Sequence, residues 1–237
     1  MTMNDSANAF EAAIALIASG DPEFLGIVAL SLRVSLAAVA LACLIGMPLG
    51  ALLAVARFPG RGAAVVAVNA LMGLPPVVVG LAVYLALSRS GPLGALGLLY
   101  TPTAMIVAQT ILVAPIIAAL TRQAVADLHG EYDEYLRSIG ATRRQTVGTL
   151  LWDARFSLVT AALAGFGRAA AEVGAVMIVG GNIAHVTRTM TTAIALETSR
   201  GELALALGLG VVLLTISLVV NAAVSGVRAR AERVGHA

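Results

Sequence analysis

Arg168 and Glu172 stand four residues apart in a stretch, Phe156 to Ile183, that is otherwise apolar. On one continuous helix this spacing puts both side chains on the same face. If the stretch crosses a membrane, each central charge costs roughly 2.5–3.5 kcal/mol on insertion scales, so both must face protein or water and be paired. Two chemistries fit. The pair is an ion pair internal to a bundle, or it lines a substrate path or gate, where Arg168 attracts an anion if Glu172 leaves it uncancelled. Leu74-Pro75-Pro76 interrupts another apolar stretch. Proline removes a backbone donor and breaks the helical ladder, and in a membrane the freed carbonyls need neighbours or water. The prolines predict a mid-span kink, either structural or placed at a pathway. Pro75, Pro76, Arg168 and Glu172 are the candidate path or gate residues.

Other chemistry is excluded by residue type. All 15 basic residues are Arg. Without Lys the phosphate-binding motif G-x-x-x-x-G-K-[ST] cannot be built, and no Lys Schiff base can form. Cys43 is the single cysteine, inside an apolar run, and reads as a small buried residue. His129, His185 and His236 are widely separated and show no metal-ligand spacing. No nucleophile–base constellation is visible, so neither a catalytic nor a metal site is expected. The net charge of +2 is not drawn into a basic stripe, which argues against nucleic acid as a partner.

These residues need a membrane to position them. Hydrophobic residues make up 59% of the 237 positions and charged residues 12%, against roughly 45–50% and about 25% in soluble domains. A soluble chain of this size cannot hide so much apolar surface, so the lipid bilayer is the expected solvent. Apolar intervals delimited by charges predict five spans, near Ile27–Ala56, Ala63–Leu87, Thr103–Leu120, Phe156–Ile183 and Leu203–Val227, with Arg33 inside the first and Arg168 and Glu172 inside the fourth. The stretch Phe10–Ala18 is too short to span and predicts an interfacial helix ending at Ser19-Gly20-Asp21-Pro22. Met1 to Glu23 carries acids and no base, unlike a secretory signal. The expected divisions are an extracytoplasmic segment 1–24, a membrane domain 25–227 and a cytoplasmic tail 228–237.

Arginine placement sets the orientation. With the N-terminus outside and the C-terminus inside, the inner connections hold Arg57 and Arg61, then Arg122, Arg137, Arg143, Arg144 and Arg155, then Arg228, Arg230 and Arg233. The outer ones hold Arg89, Arg188 and Arg200. The outer run Thr187 to Thr192 reads as a solvated loop with a helix cap, or as a contact for an external docking protein. Gly46 and Gly50 have G-x-x-x-G spacing in the first span. No internal repeat is visible, so five spans look like half of a path that a second copy, or a homologue, completes.

The one sizeable inner segment is Arg122 to Arg155. It predicts two short helices around Gly140-Ala141-Thr142. Gly140 supplies a positive-φ helix end, and Thr142 with Gln145 has capping-box spacing. A polar helical pair between two spans is shaped for a partner rather than for a core.

Glu134-Tyr135-Leu136-Arg137-Ser138-Ile139-Gly140-Ala141 resembles the EAA loop of bacterial ABC importer permeases, in which an acid stands six residues before a glycine. Tyr135-Leu136 replace the two small residues of that loop, and Trp152-Asp153 stand where the family often has Leu-Pro. Gly167 to Ile183, followed by Thr187-Arg188-Thr189, resembles the fourth-span signature of molybdate/tungstate permeases. Met72 to Gly80 and Ser90-Gly91-Pro92-Leu93-Gly94 resemble the tungstate-type branch. The resemblance runs from about Phe24 to Val227.

It implies an all-α type I ABC permease of the bacterial inner membrane, acting as a homodimer, with cytoplasmic coupling helices between spans three and four. Two cytoplasmic ABC ATPase subunits, which hold the ATP and Mg, would grip the loop around Glu131 to Leu150. This chain would bind no cofactor. A periplasmic binding protein would deliver the oxyanion, tungstate in the first place, with molybdate or sulfate as alternatives. The coupling residues implied are Glu131, Tyr132, Glu134, Tyr135, Leu136, Arg137, Gly140, Ala141, Arg143 and Arg144. Tyr132, Tyr135 and Leu136 would be apolar anchors, with Arg137, Arg143 and Arg144 on the rim. The rival classes are an ATP-independent secondary transporter and a membrane scaffold.

Overall fold

The computed structural model describes the backbone of residues 3–235 and the side chains of residues 10–226. His236 therefore lies outside the described residues, as do the side chains of Arg228, Arg230 and Arg233. The described chain is helical: α1 (Met3–Ser19), α2 (Pro22–Val55), α3 (Arg61–Met72), α4 (Pro76–Leu87), α5 (Pro102–Ser138), α6 (Arg143–Asp153), α7 (Arg155–Ala170), α8 (Gly174–Gly180), α9 (Met190–Arg200) and α10 (Leu203–Gly235). α2, α5 and α10 are each long and apolar enough to cross a membrane. Two bent pairs, α3 with α4 and α6 with α7, pass the same test only when each is taken as one span, which raises the total to five.

The local starts and stops follow the sequence. Gly20 takes φ +65° and ends α1. Asp21 Oδ1 then accepts from Phe24 N–H at 2.8 Å, capping α2 behind Pro22. A proline in the first turn forfeits no bond, because that N–H has no helical partner. α2 ends at Val55, where Arg61 turns back to donate from Nε to the Leu53 carbonyl at 2.7 Å and from Nη2 to that of Ala54 at 3.2 Å. These carbonyls belong to the last turn, which has no intrahelical donors of its own.

Two expected spans are differently built. The second is not one kinked helix. α3 stops at Met72, Pro75 is the N-cap of α4 and Pro76 its first residue. Prolines are tolerated at a helix start and not in its interior, so the pair begins a helix instead of bending one. The fourth is broken as well, because α7 ends at Ala170 and α8 begins at Gly174. Arg168 lies in the last turn of α7 and Glu172 in the break. They do not share the face of one continuous helix, which corrects the four-residue spacing argument. The first inner helix is also not separate: α5 runs on without interruption to Ser138.

The helices pack into two compact units, each assembled from separate stretches of the chain. The first gathers residues up to Ala37, Pro75–Gln109 and Ala170–Val219; the second gathers Ala38–Leu74, Thr110–Ala169 and the chain from Val220. In the first, Phe24, Ile27, Met190, Ala193 and Leu209 form a buried cluster against which Leu16 and Ile17 of α1 pack. α4 lies against α8, and a Cβ on Gly80 would come within 2.8 Å of the Ala175 Cα. In the second, Gly46 and Gly50 bring α2 against α5: a Cβ on Gly46 would meet the Ala114 carbonyl oxygen at 2.8 Å, and one on Gly50 would overlap that of Ala118. The G-x-x-x-G spacing is a helix-packing contact.

Candidate functional site

The inner elbow of the second unit is the most fully built polar feature. Gly140 adopts φ +70°. Its N–H reaches the Arg137 carbonyl at 3.0 Å, and Ala141 N–H reaches that of Leu136 at 3.0 Å. This is a Schellman ending, which occupies carbonyls that the helix end leaves free. Thr142 then opens α6 with a capping box: its Oγ1 accepts from Gln145 N–H at 3.4 Å, and its own N–H donates to Gln145 Oε1 at 2.8 Å. Both turn signals in the sequence operate as expected.

The elbow has an apolar side and a wet side. Leu136 packs with Ala51, Ala54, Val125, Leu150, Ala154 and Leu158. It is 6% exposed, whereas Tyr135 beside it is 65% exposed. Leu136 is therefore a core residue of the elbow and not an anchor offered to a partner. Its place on the exposed ridge is taken by Ile139, alongside Tyr132 and Tyr135. Glu131, Glu134, Arg137, Arg143 and Arg144 are exposed, as is Gly140, while Ala141 is half-buried. Tyr132, Tyr135 and Ile139 thus leave apolar surface uncovered on a polar segment.

Asp133 is the electrostatic hub of this region. Its carboxylate lies 3.0 Å from Arg137 Nε, 3.7 Å from Arg57 Nη2 and 3.7 Å from His129 Nε2. It thereby joins α5 to the segment following α2. Sequence reasoning did not single out Arg57, His129 or Asp133 for this. The 129, 133, 137 spacing was a usable signal, since i,i+4 residues adjoin on a helix. The contact with Arg57 had no local signal. At the α6–α7 junction, where the two helices bend by 72°, the Arg155 guanidinium lies 5.3 Å from the ring centroid of exposed Trp152 and 4.8 Å from that of Phe156.

Pro75 is exposed and Pro76 half-buried. Arg168 is half-buried in the second unit, and Glu172 is buried in the first. The Glu172 carboxylate accepts from Ala175 N–H at 3.1 Å and so caps α8. Its carbonyl accepts from Thr191 Oγ1 at 2.8 Å.

The threonine run is not a solvated loop. Thr187, Thr189, Thr191 and Thr192 are all buried. Thr189 and Thr192 form the capping box of α9, so the helix-cap part of the reading holds. Met190 N–H donates to Ser31 Oγ at 2.7 Å, and Ile183 N–H to Thr187 Oγ1 at 2.9 Å. Burial is tolerated because these hydroxyls satisfy backbone groups of a loop and two helix ends. Beside them Arg188 lies 3.8 Å from Glu23 and 3.7 Å from Glu197, and Arg200 lies 3.6 Å from Glu197. The Glu197–Arg200 spacing was legible as an i,i+3 pair; the burial of Glu197 was not.

Helices of membrane-crossing length joined through a braced polar elbow define a multi-pass membrane protein. The comparisons agree. A family model described as the binding-protein-dependent transport system inner membrane component matches residues 46–233. The chain is 41% identical over 218 residues, 92% of its own length and 96% of the other, to the tungstate uptake system permease protein TupB of Peptoclostridium acidaminophilum. It is 43% identical over 201 residues, 83% of this chain and 87% of the other, to a probable anion ABC transporter permease protein of Haloferax volcanii. A sulfate transport system permease protein, CysW of Synechocystis, is 27% identical over 209 residues, 85% of this chain and 76% of that protein. A chain of the MetNI methionine ABC transporter in inward-facing form superposes with a TM-score of 0.68 at 23% identity, covering 84% of this chain and 92% of that chain. That likeness gives the type I permease fold. The chain belongs to the family of binding-protein-dependent transport system inner membrane components, and is a multi-pass membrane protein.

Proposed function

We propose that this chain is the membrane permease of an ATP-driven oxyanion importer, with tungstate as the cargo. The observation that carries the reading is the end-to-end similarity to a tungstate uptake permease, 96% of whose length is matched. Sulfate or molybdate is the second reading, and the match to a sulfate permease favours the former of these. In this reading two copies of the chain form the path. A cytoplasmic ABC ATPase dimer, holding ATP and Mg, docks on the elbow, and a periplasmic binding protein delivers the anion. The chain binds no nucleotide and no cofactor, consistent with its lack of Lys.

The N-terminus lies outside and the C-terminus inside, in keeping with the arginine distribution. Residues 1–24 are extracytoplasmic, 25–227 form the permease domain and 228–237 a cytoplasmic tail. Tyr132, Tyr135 and Ile139 are the apolar anchors for the ATPase. Glu131, Glu134, Arg137, Arg143 and Arg144 form the rim, and the turn at Gly140-Ala141 sets the angle of the elbow. Arg168 supplies positive charge to the anion path. Glu172 holds the start of α8, and the helix break at Pro75-Pro76 gives that path its irregular backbone.

Uptake of labelled tungstate into vesicles containing the matching ATPase and binding protein is the test. Uptake is expected only when this chain is present, and equal entry without it sinks the proposal. Capture of the ATPase, lost in Gly140→Arg, separates this reading from an ATP-independent transporter or a scaffold. Protease cleavage between Arg122 and Arg155 from the outer face would reverse the orientation and remove the ATPase-docking role.

A further inference from the structure

We propose that a cleft in the elbow holds the phosphate of an anionic phospholipid from the adjoining leaflet, and that this lipid braces the elbow. The inference needs the bilayer and not the cargo. The cleft measures about 180 Å³, against roughly 30 Å³ for a water molecule, so it admits a phosphate group with part of its glycerol. Val55 and Arg57 wall it after α2, His129, Asp133 and Arg137 on α5, and Arg143 at the start of α6.

Its depth fits a headgroup. α2 ends at Val55 and α3 begins at Arg61, and both belong to segments of membrane-crossing length. The turn between them, which carries Arg57, therefore lies where the chain leaves the bilayer and re-enters it. Leu52 on one side of Arg57 is 51% exposed and Phe58 on the other 43%. Apolar side chains exposed at such a turn meet acyl chains, while a guanidinium beside them reaches the headgroups. The cleft also faces away from the docking ridge. His129, Asp133 and Arg137 recur at helical spacing along one side of α5, and Tyr132, Tyr135 and Ile139 are centred roughly a quarter turn from them.

The charge of the cleft is unbalanced. Three guanidinium groups line it against the single carboxylate of Asp133. Arg137 Nε lies 3.0 Å and Arg57 Nη2 3.7 Å from that carboxylate. Each guanidinium carries five N–H donors, so most of theirs are left for a ligand. Arg143 has no ion-pair partner among the described residues. His129 Nδ1 is buried without a hydrogen-bond partner, and such atoms call for a ligand or water. A phosphodiester offers acceptor oxygens and a negative charge to these donors. The surplus positive charge repels a headgroup that carries its own cation, so the cleft prefers phosphatidylglycerol to phosphatidylcholine. The bound phosphate joins the turn after α2 to both arms of the elbow, while the acyl chains stay in the bilayer.

The test uses the full-length permease, freed of its own lipid in non-ionic detergent. Phosphatidylglycerol, phosphatidylcholine and glycerol 3-phosphate are the probes, and titration followed by native mass spectrometry reads the binding. Wild type should hold phosphatidylglycerol at least about fivefold more tightly than phosphatidylcholine. Equal affinity overturns the site, and that comparison needs no variant. Arg57→Gln combined with Arg143→Gln should weaken phosphatidylglycerol at least about tenfold, through loss of charge-assisted hydrogen bonds. Arg155→Gln removes a like charge at the α6–α7 junction, outside the cleft, and should stay within about twofold of wild type. No loss in the double variant, or an equal loss in Arg155→Gln, overturns the assignment to the cleft. Displacement of the lipid by glycerol 3-phosphate at equal concentration makes the ligand a soluble phosphate and overturns the lipid. Phosphatidylglycerol should also slow proteolysis between α5 and α6 several-fold in wild type and not in the double variant; equal protection in both overturns the bracing. None of these readings depends on tungstate uptake, which tests the importer reading alone.

Discussion

The elbow around Gly140 and the threonine cluster around Thr189 look alike in sequence, as short polar interruptions between apolar helices, each with a capping box. Their structures are opposite. The elbow turns Tyr135 and Trp152 outward and keeps most of its charges wet. The threonine cluster buries its hydroxyls and the carboxylate of Glu197. A buried polar group must find a partner inside the protein, and the threonines do so within one to a few residues or on facing helices. Exposed aromatic side chains have no such internal use, and the proposed ATPase contact would supply the cover that the elbow's aromatics lack within the chain.

Substitutions can break this comparison. The largest expected effect is at Glu197, whose buried carboxylate faces both Arg188 and Arg200 and whose removal leaves Arg188 with Glu23 alone, at 3.8 Å. Glu197→Ala should cost about 3 kcal/mol, the low end for breaking a buried ion pair, because Glu23 still faces Arg188. A steep fall in the detergent unfolding temperature is the expected readout, and a fall no larger than that of an exposed acid such as Glu131→Ala would show the cluster to be wet.

Next comes Leu136, buried at 6% exposure within the elbow. Leu136→Ala should cost about 2–3 kcal/mol, in the lower part of the range for core leucines because solvent-facing neighbours can close the gap. Thr142→Ala removes one half of a capping box and should cost about 1 kcal/mol, read as proteolytic sensitivity between α5 and α6. The smallest stability change belongs to Tyr135→Ala, within about 0.5 kcal/mol as for exposed positions generally. That variant should nonetheless lose ATPase capture and uptake. If Tyr135→Ala destabilises the protein more than Leu136→Ala does, the two faces of the elbow have been assigned the wrong way round.

Much of the architecture was legible because its signals are local. Gly20 ending α1, Gly140 ending α5 and Thr142 with Gln145 starting α6 all act within a few residues. Apolar runs marked α2, α5 and α10 as crossings. Periodicity misled where a helix breaks. The spacing of Arg168 and Glu172 assumed a continuity that Ala170 ends, and Pro75-Pro76 was placed inside a helix that it begins. Leu136 and Tyr135 illustrate a further limit, because neighbours in a polar segment give no sign of which faces inward until α2 and α7 are packed against them.

Composition and chain-local hydrogen bonding thus determined that this protein lives in a bilayer, where its long helices begin and end, and that an elbow interrupts them. Burial was decided only in three dimensions: which threonines are sealed in, that Asp133 gathers Arg57 across the fold, and that Glu197 lies beneath Arg188. The reason is physical. Helix caps and apolar runs act over a few residues of one chain segment, whereas solvent exclusion and charge pairing depend on segments that sequence separation keeps apart until they pack.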